Sequence, residues 1–207
     1  MYALVEDNNI TQIITNPKTM VIGDVRYPAK IFQLWSKSEL NAIGIYEVIT
    51  DSTNKKDEAY YINTNEQYNF ADGQVTRSWG TATAKRLNDE NAVDEDGNNL
   101  LDDDGNQVIN YGLKTEKKRI VKQQASGLLA PTDWYVVKST EVADYDVPAN
   151  ILSFRADVRS KSNEMETQID ACTTVDDLKT LYEYVNTGTE ENPVIERPLA
   201  EFPTLEN

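Results

Sequence analysis

Apolar and polar residues alternate along much of the first 85 residues, which is the pattern of half-buried β-strands. Tyr2–Val5 and Ile10–Ile14 flank an Asp-Asn-Asn turn, and this arrangement predicts a β-hairpin because Asp and Asn tolerate positive φ. Glu66–Phe70 and Gln74–Trp79 flank an Ala-Asp-Gly turn and predict a second hairpin. Residues 1–85 are therefore predicted to form a β-rich N-terminal module.

One short helix is predicted within this module. Ser36 and Glu39 have the Ser-x-x-Glu spacing of a capping box, in which each side chain accepts a hydrogen bond from the other residue's backbone amide. Gly44 suits the left-handed conformation in which many helices end. Ile45–Ile49 then alternates as a strand does, and Val21–Tyr27 predicts a further short extended segment.

From residue 114 onward the apolar positions recur at helical intervals. Val121, Ala125 and Leu128 lie at i, i+4 and i+7, which predicts a helix with one buried stripe. Pro148 marks the start of a second helix, because its missing N–H costs nothing in the first turn. A third helix is predicted to start after Thr174. Its inward-facing residues are predicted to be Val175, Leu178, Leu181, Tyr182 and Val185. Residues 114–187 are thus predicted to be a three-helix module.

Residues 86–113 are predicted to form an acidic arm or linker built from β-turns. Asn88–Gly112 contains no Lys or Arg, and two Asp-Gly-Asn turns occur in it. The alternative is a calcium site. An EF-hand loop starting at Asp102 would need a bidentate Glu at its twelfth position, where the chain has Leu113. A turn-rich arm is the preferred interpretation, and the calcium alternative stays open.

Residues 188–207 are predicted to form an extended tail, because prolines recur too often for a continuous helix. The tail is either a strap on its own domain or a docking segment for another chain. The candidate docking residues are Pro198, Phe202 and Pro203. Together the four segments predict an α+β fold.

The amino-acid composition limits the kinds of catalytic and binding chemistry that we expect of this chain. The chain of 207 residues has a net charge of −15, no histidine and one cysteine. Histidine is the usual base beside a Ser or Cys nucleophile, and zinc sites draw on Cys and His, so we expect no enzyme, no cofactor and no metal. The negative charge disfavours contact with nucleic acid or with an anionic membrane surface. Cys172 continues the apolar stripe of the second helix, which predicts a buried thiol.

One block of residues in the helical region and its tail carries a family likeness. The block consists of Leu128-Leu129, Thr132-Asp133-Trp134, Phe154-Arg155 and Phe202-Pro203, in that order, over roughly residues 115–205. It resembles the bacteriophage tail assembly chaperone family, in which Leu-Leu, Ser/Thr-Asp-Trp, Tyr/Trp-Arg and a terminal Pro-rich element recur. Phe154 stands where that family usually has Tyr or Trp. The first fifty residues also resemble N-terminal modules of phage tail proteins.

The resemblance implies a non-enzymatic bacteriophage tail protein. Such a protein is a tail-fibre- or baseplate-associated structural connector, or a fibre assembly factor, and acts through protein–protein contacts. The implied partners are other phage tail, fibre or baseplate proteins in a multimeric assembly. The implied location is the virion tail, or the host cytoplasm during assembly.

The preferred role of the block is that of a scaffold. In this interpretation Thr132 and Asp133 cap backbone amides at a corner of the chain, and Trp134 covers the leucine pair. Arg155 and Arg159 lie four residues apart on a helix and meet Asp133 or a partner's carboxylate. In the alternative interpretation the same residues recognise a partner directly.

Two other functions stay open. A host-surface binding module for carbohydrate or calcium would stack sugars on aromatic side chains, and the candidates are Tyr60, Tyr61, Tyr68 and Trp79. A carboxylate enzyme such as a glycosidase would need two carboxyl groups roughly 5 to 9 Å apart. The sequence alone does not show which carboxyl groups lie at that distance.

Overall fold

The computed structural model describes residues 1–205 of the chain. Glu206 and Asn207, which end the predicted tail, lie outside the described residues. The chain divides into two compact units, Met1–Ala84 and a second unit that begins at Lys85. The first unit is mostly β-sheet and the second is mainly helical, so the predicted α+β class is confirmed.

The first unit is built from short strands and two short helices. In chain order they are β1 (Tyr2–Glu6), β2 (Asn9–Ile14), β3 (Met20–Ile22), β4 (Val25–Tyr27), α1 (Ile31–Leu34), α2 (Lys37–Ala42), β5 (Ile45–Thr50), β6 (Tyr61–Ile62), β7 (Gln67–Ala71), β8 (Gln74–Ser78) and β9 (Thr83–Ala84). The main sheet has the order β2-β1-β5-β8-β7. Its neighbouring strands are antiparallel except for β5 and β8, which run parallel.

Each face of the main sheet has an apolar core, because successive side chains of a strand point to opposite faces. Ala3, Val5 and Val75 form the core of one face, and the sheet curls so that β2 approaches β7. Leu4 and Ile45 belong to the core of the other face, where apolar residues of α1 and α2 pack against them.

Both predicted hairpins of the first unit are confirmed. Asp7 and Asn8 have φ of 50° and 62°, and Asp72 and Gly73 have φ of 52° and 70°. Positive φ at two successive turn residues suits the right-handed twist of the flanking strands. The predicted extended segment before Pro28 is the hairpin of β3 and β4, and the predicted alternating strand is β5.

The predicted short helix is α2, and its capping box is confirmed. Ser36 Oγ accepts a hydrogen bond from the Glu39 amide, and Glu39 Oε2 accepts one from the Ser36 amide at 2.7 Å. Gly44 has φ of +81°, and a Cβ at this position would lie 2.6 Å from the carbonyl oxygen of Val5. The sequence does not predict α1, because its four residues carry no side-chain cap.

The second unit contains short hairpins and a group of helices. In chain order they are β10 (Glu90–Asn91), β11 (Ile109–Asn110), α3 (Leu113–Leu129), a 3-10 turn (Ala130–Thr132), α4 (Asp133–Glu141), α5 (Ala149–Ala171), α6 (Val175–Tyr182), β12 (Val185–Asn186) and β13 (Ile195–Glu196). None of the helices in the described part of the chain is long and apolar enough to cross a membrane.

The helices of the second unit differ in number from the prediction. The sequence predicts three, and within residues 1–205 this unit has four, because α4 follows α3 after a single 3-10 turn. α3 and α6 both pack against α5. α6 begins with the predicted cap at Thr174, whose Oγ1 accepts from the Asp177 amide. α6 ends before Val185, which was predicted to face inward and instead lies half-exposed in β12.

The acidic segment contains the two predicted Asp-Gly-Asn turns. Asp94 Oδ1 accepts hydrogen bonds from the amides of Asp96 and Asn98, at 3.0 and 2.8 Å. Asp102 Oδ1 accepts from the residues at the same spacing, Asp104 and Asn106, at the same two distances. The two turns are therefore copies of one local structure.

A closed ring of backbone hydrogen bonds holds the two turns together. The Leu100 amide donates to Ala92 O at 2.9 Å, and the Val108 amide donates to Leu100 O at 2.9 Å. The Ala92 amide completes the ring by donating to Val108 O at 2.8 Å. Gln107 Nε2 lies 2.8, 3.2 and 2.8 Å from the oxygens of Ala92, Leu100 and Val108. The segment is thus a small folded structure with its own hydrogen-bonded centre.

Candidate functional site

Arg155 forms the centre of the residue block that the sequence singled out. α5 carries it into the interior of the second unit, where it is 8% exposed. Its Nη1 donates to Leu129 O at 3.1 Å and to Thr132 Oγ1 at 2.6 Å, and it lies 2.7 Å from Asp133 Oδ1. All three contacts are made by this one guanidinium nitrogen. Arg155 therefore joins the end of α3, the 3-10 turn and the start of α4. We call these four residues the Arg155 joint.

The predicted amide capping by Thr132 and Asp133 was wrong. The Thr132 side chain caps no amide of α4, and its hydroxyl donates to Leu129 O at 2.7 Å. The chain stays helical through the 3-10 turn, so the Asp133 amide already has an acceptor, the carbonyl oxygen of Ala130. A capping side chain is therefore not needed at this corner.

An apolar cluster lies beside the Arg155 joint. Its buried members are Ala125, Phe154 and Val158, and Leu128, Leu129 and Phe202 pack against them. The structure thus brings together the leucine pair, the aromatic residue before Arg155 and the aromatic residue of the tail. Phe154 is buried and the other three residues are partly buried, which fits the scaffold interpretation of the block.

Trp134 does not cover the leucine pair, and that prediction was wrong. Its side chain is 52% exposed, its ring lies 3.8 Å from the ring of Tyr135, and Lys138 Nζ is 5.8 Å from its centroid. Trp134 follows the buried Thr132 by two residues, which is about 200° around a helix, so it faces away from the interior. Phe202 packs against the apolar cluster instead.

Arg159 lies outside the joint. Its side chain is exposed, and its Nη1 donates to the carbonyl oxygen of Arg155 at 3.2 Å. The two arginines of α5 therefore have different roles, although both were predicted to meet Asp133 or a partner's carboxylate.

Part of the tail lies as a strap along the helices of its own unit. Gln168 of α5 donates from Nε2 to Pro198 O at 3.1 Å and accepts at Oε1 from the Ala200 amide at 2.9 Å. Leu199 is buried, and its amide donates to Leu181 O at 3.0 Å. Pro203 lines open depressions on the surface. The earlier part of the predicted extended tail contains β13, which pairs with β12.

α4 is a helix of the second unit without a fully buried residue, and its partly buried side consists of Tyr135, Lys138 and Ser139. None of its nine residues is buried, although it contains an aromatic pair and two valines. The exposed apolar side chains are Trp134, Val136 and Val137, which we call the α4 face. The sequence shows no apolar stripe at helical spacing here. The feature that could have drawn attention to this segment is its run of adjacent aromatic and β-branched residues.

The aromatic residues proposed for sugar stacking are poorly placed for it. Tyr60, Tyr61 and Trp79 are buried, and cations lie over the Trp79 ring, with Arg77 at 4.6 Å. Tyr68 donates its hydroxyl to Glu66 Oε1 at 2.6 Å. Tyr60, Tyr61 and Trp79 are therefore poorly placed to stack on a sugar, because a stacking ring must present a free face to the ligand.

In the acidic segment, the carboxylates of Asp94 and Asp102 already accept hydrogen bonds within their own turns. Hydrogen bonds from the backbone amide of Asn98 hold the pKa of Asp94 below its usual range, and the Asn106 amide does the same for Asp102. Among residues 1–205, no group of three or more His, Cys, Asp or Glu side chains is arranged to hold a metal ion. The predicted burial of Cys172 is confirmed, and burial raises the pKa of its thiol.

The geometry therefore offers an internal scaffold and an exposed helix as its distinctive features. Comparison of the chain with models of known protein families, with curated proteins and with solved structures found no match.

Proposed function

We propose that this protein is a non-enzymatic bacteriophage tail protein. It is a structural connector associated with the tail fibre or baseplate, or a factor in fibre assembly, and it acts through protein–protein contacts. It works in the virion tail, or in the host cytoplasm during assembly. The resemblance of the Leu-Leu, Thr-Asp-Trp and Phe-Arg residues to the tail assembly chaperone family indicates this kind of protein.

One observation carries the proposal. Four of the residues that bear the resemblance form the Arg155 joint, and α4, which begins at this joint, has no buried residue. An isolated helix of nine residues is marginal in water, because helix nucleation is costly and few hydrogen bonds follow it. A helix that is anchored at one end and apolar on its surface is well suited to contact another protein.

Mass spectrometry of purified virions and of infected cells tests this proposal. A connector is expected in mature particles together with tail, fibre or baseplate proteins. An assembly factor is expected to be absent from particles and bound to such a protein inside infected cells. The proposal fails if the protein associates with tail, fibre or baseplate components in neither sample.

A further inference from the structure

The α4 face is an apolar arc, with Trp134 and Val136 at its two edges and Val137 between them around the helix. Trp134 and Val137 are each 52% exposed and Val136 is 38% exposed. Trp134 and Val137 are three residues apart and so lie on the same side of the helix. Arg155 binds Thr132, directly before α4, and pairs with Asp133 at its start, so these side chains are presented by a helix that is anchored to α5 at one end. Pre-organisation of this kind reduces the entropy that binding would otherwise cost.

The surroundings of the α4 face are acidic. Glu141 ends the helix, and Asp144 and Asp146 follow in the exposed loop that leads to α5. Lys138 is the cation of this helix, and its Nζ lies 4.1 Å from the ring centroid of Tyr145 and 5.8 Å from that of Trp134. Its charge is directed at aromatic rings, whereas the three carboxylates at the end of α4 and in the following loop are exposed.

We infer that the α4 face docks into an apolar groove of another protein, and that lysine and arginine side chains border this groove. A short helix laid into a groove buries its apolar face on several sides, and basic residues at the groove's rim complement Glu141, Asp144 and Asp146. This inference rests on the proposed function and names the chemistry of its partner.

A second copy of this chain is a less suitable partner for the α4 face than a groove bordered by basic residues. Two α4 helices packed against each other would bring like charges together in a chain whose net charge is −15. An anionic membrane surface is disfavoured by the same carboxylates.

Photo-crosslinking of the full chain in infected cells tests this inference. Thr140 lies exposed between Val136 and Val137 around the helix, so Thr140→p-benzoylphenylalanine puts the probe beside the α4 face and keeps Trp134, Val136 and Val137 unchanged. We expect a cross-link to a tail, fibre or baseplate protein, at an apolar segment flanked by lysine or arginine. A cross-link to a second copy, to lipid or to a segment without basic residues overturns the inference.

Binding of the cross-linked protein, once purified, provides the quantitative test. We expect Trp134→Ala with Val137→Ser to raise the Kd by about thirtyfold or more, as for other central aromatic anchors, and higher ionic strength to raise it further. Ile62→Ser is the matched control, because Ile62 is also 52% exposed but lies in the first unit. It is expected to leave the Kd unchanged, and circular dichroism should show that every variant is folded.

The two proposals fail in different ways. If the protein co-purifies with tail components but position 140 gives no cross-link, the docking inference is wrong and the proposed function stands. If the protein does not associate with tail components, the proposed function is wrong. In that case a cross-link to a basic-bordered apolar segment of another protein, with the expected loss in the double variant, still supports docking through α4.

Discussion

Arg155 brings a positive charge into the interior of the second unit, and its desolvation is offset by acceptors on three neighbouring residues. Removal of the side chain leaves Leu129 O and Thr132 without this donor and opens space beside the apolar cluster. Asp133 contributes less, because its side chain is 59% exposed and solvent screens the pair. We expect Arg155→Ala to lower the free energy of unfolding by about 2–4 kcal/mol, as measured by urea denaturation.

Arg159 provides the control for this prediction, because it lies one helical turn further along α5 and is exposed. Arg159→Ala should change the free energy of unfolding by less than about 0.5 kcal/mol. Arg155→Lys should fall between the two, since the lysine ammonium keeps the charge but its shorter side chain does not extend as far as the guanidinium nitrogen that makes the contacts. Equal effects of the two alanine variants would contradict the role assigned to the Arg155 joint.

Asp177 caps α6, and hydrogen bonds lower the pKa of its carboxyl from 3.8 to about 2. The largest cause is the Thr173 hydroxyl, followed by the amides of Thr173 and Thr174. Since the folded pKa is the lower one, the stability from this carboxylate is fully present above pH 3.8 and is lost as the pH falls through about 2. Asp177→Asn should remove this part of the acid dependence of the melting temperature.

Carboxyl-carbon NMR titration measures the same effect directly. The Asp177 signal should titrate with a midpoint near 2, and Thr173→Val should raise that midpoint because it removes the leading hydrogen bond. A wild-type midpoint at or above 3.8 would show that the cap does not form in solution.

For single residues, the sequence predicts which side chains meet better than it predicts which way each side chain points. It groups Leu128, Leu129 and Phe154 with Arg155, and these residues do meet. It does not predict that Trp134 points outward, because that depends on the chain remaining helical through Ala130–Thr132. From the sequence alone, Pro131 suggests that the helix breaks there, whereas proline is tolerated in the first turn of a helix.

Among the elements, those specified by local chemistry are predicted correctly. The two hairpins need positive φ at Asp, Asn and Gly, and α2 and α6 need the Ser-x-x-Glu and Thr-x-x-Asp spacings. α4 is different, since its sequence has no stripe and its position comes from contacts with α5, which is distant in the chain. Elements stabilised by such contacts cannot be located from their own residues.

The acidic segment is an element whose stability depends on one side chain at its centre. Gln107 Nε2 is surrounded by the carbonyl oxygens of Ala92, Leu100 and Val108. Gln107→Glu replaces this donor with an oxygen that repels those carbonyls. We expect the three amides of the ring to exchange their hydrogens about ten- to a hundredfold faster, which corresponds to roughly 1.5–3 kcal/mol of local stability.

Asn99 is the control for this substitution, because it occupies the same place in the first turn that Gln107 occupies in the second. Asn99 is exposed, so Asn99→Asp should leave amide exchange of the ring almost unchanged. If both substitutions, or neither, accelerated exchange at Ala92, Leu100 and Val108, the central role of Gln107 would be disproved.

For the whole molecule, the sequence predicts the α+β class and does not predict the order of the strands. The parallel pairing of β5 with β8 joins Val48 to Val75 and inserts β8 between β5 and β7. No local signal specifies this pairing, because it is decided by the burial of Ala3, Val5 and Val75 together. Pairings over such separations depend on the finished core more than on the propensity of each strand.

Because the two cores of the first unit are made from residues within Met1–Ala84, this segment should fold when it is produced alone. We expect cooperative urea unfolding and amide NMR shifts close to those of the same residues in the full chain. A fragment of residues 1–66 is the control, because it lacks β7 and β8 and therefore removes Val75, which is fully buried. That fragment should not unfold cooperatively. An unfolded 1–84 fragment would mean that this unit needs the rest of the chain to complete its fold.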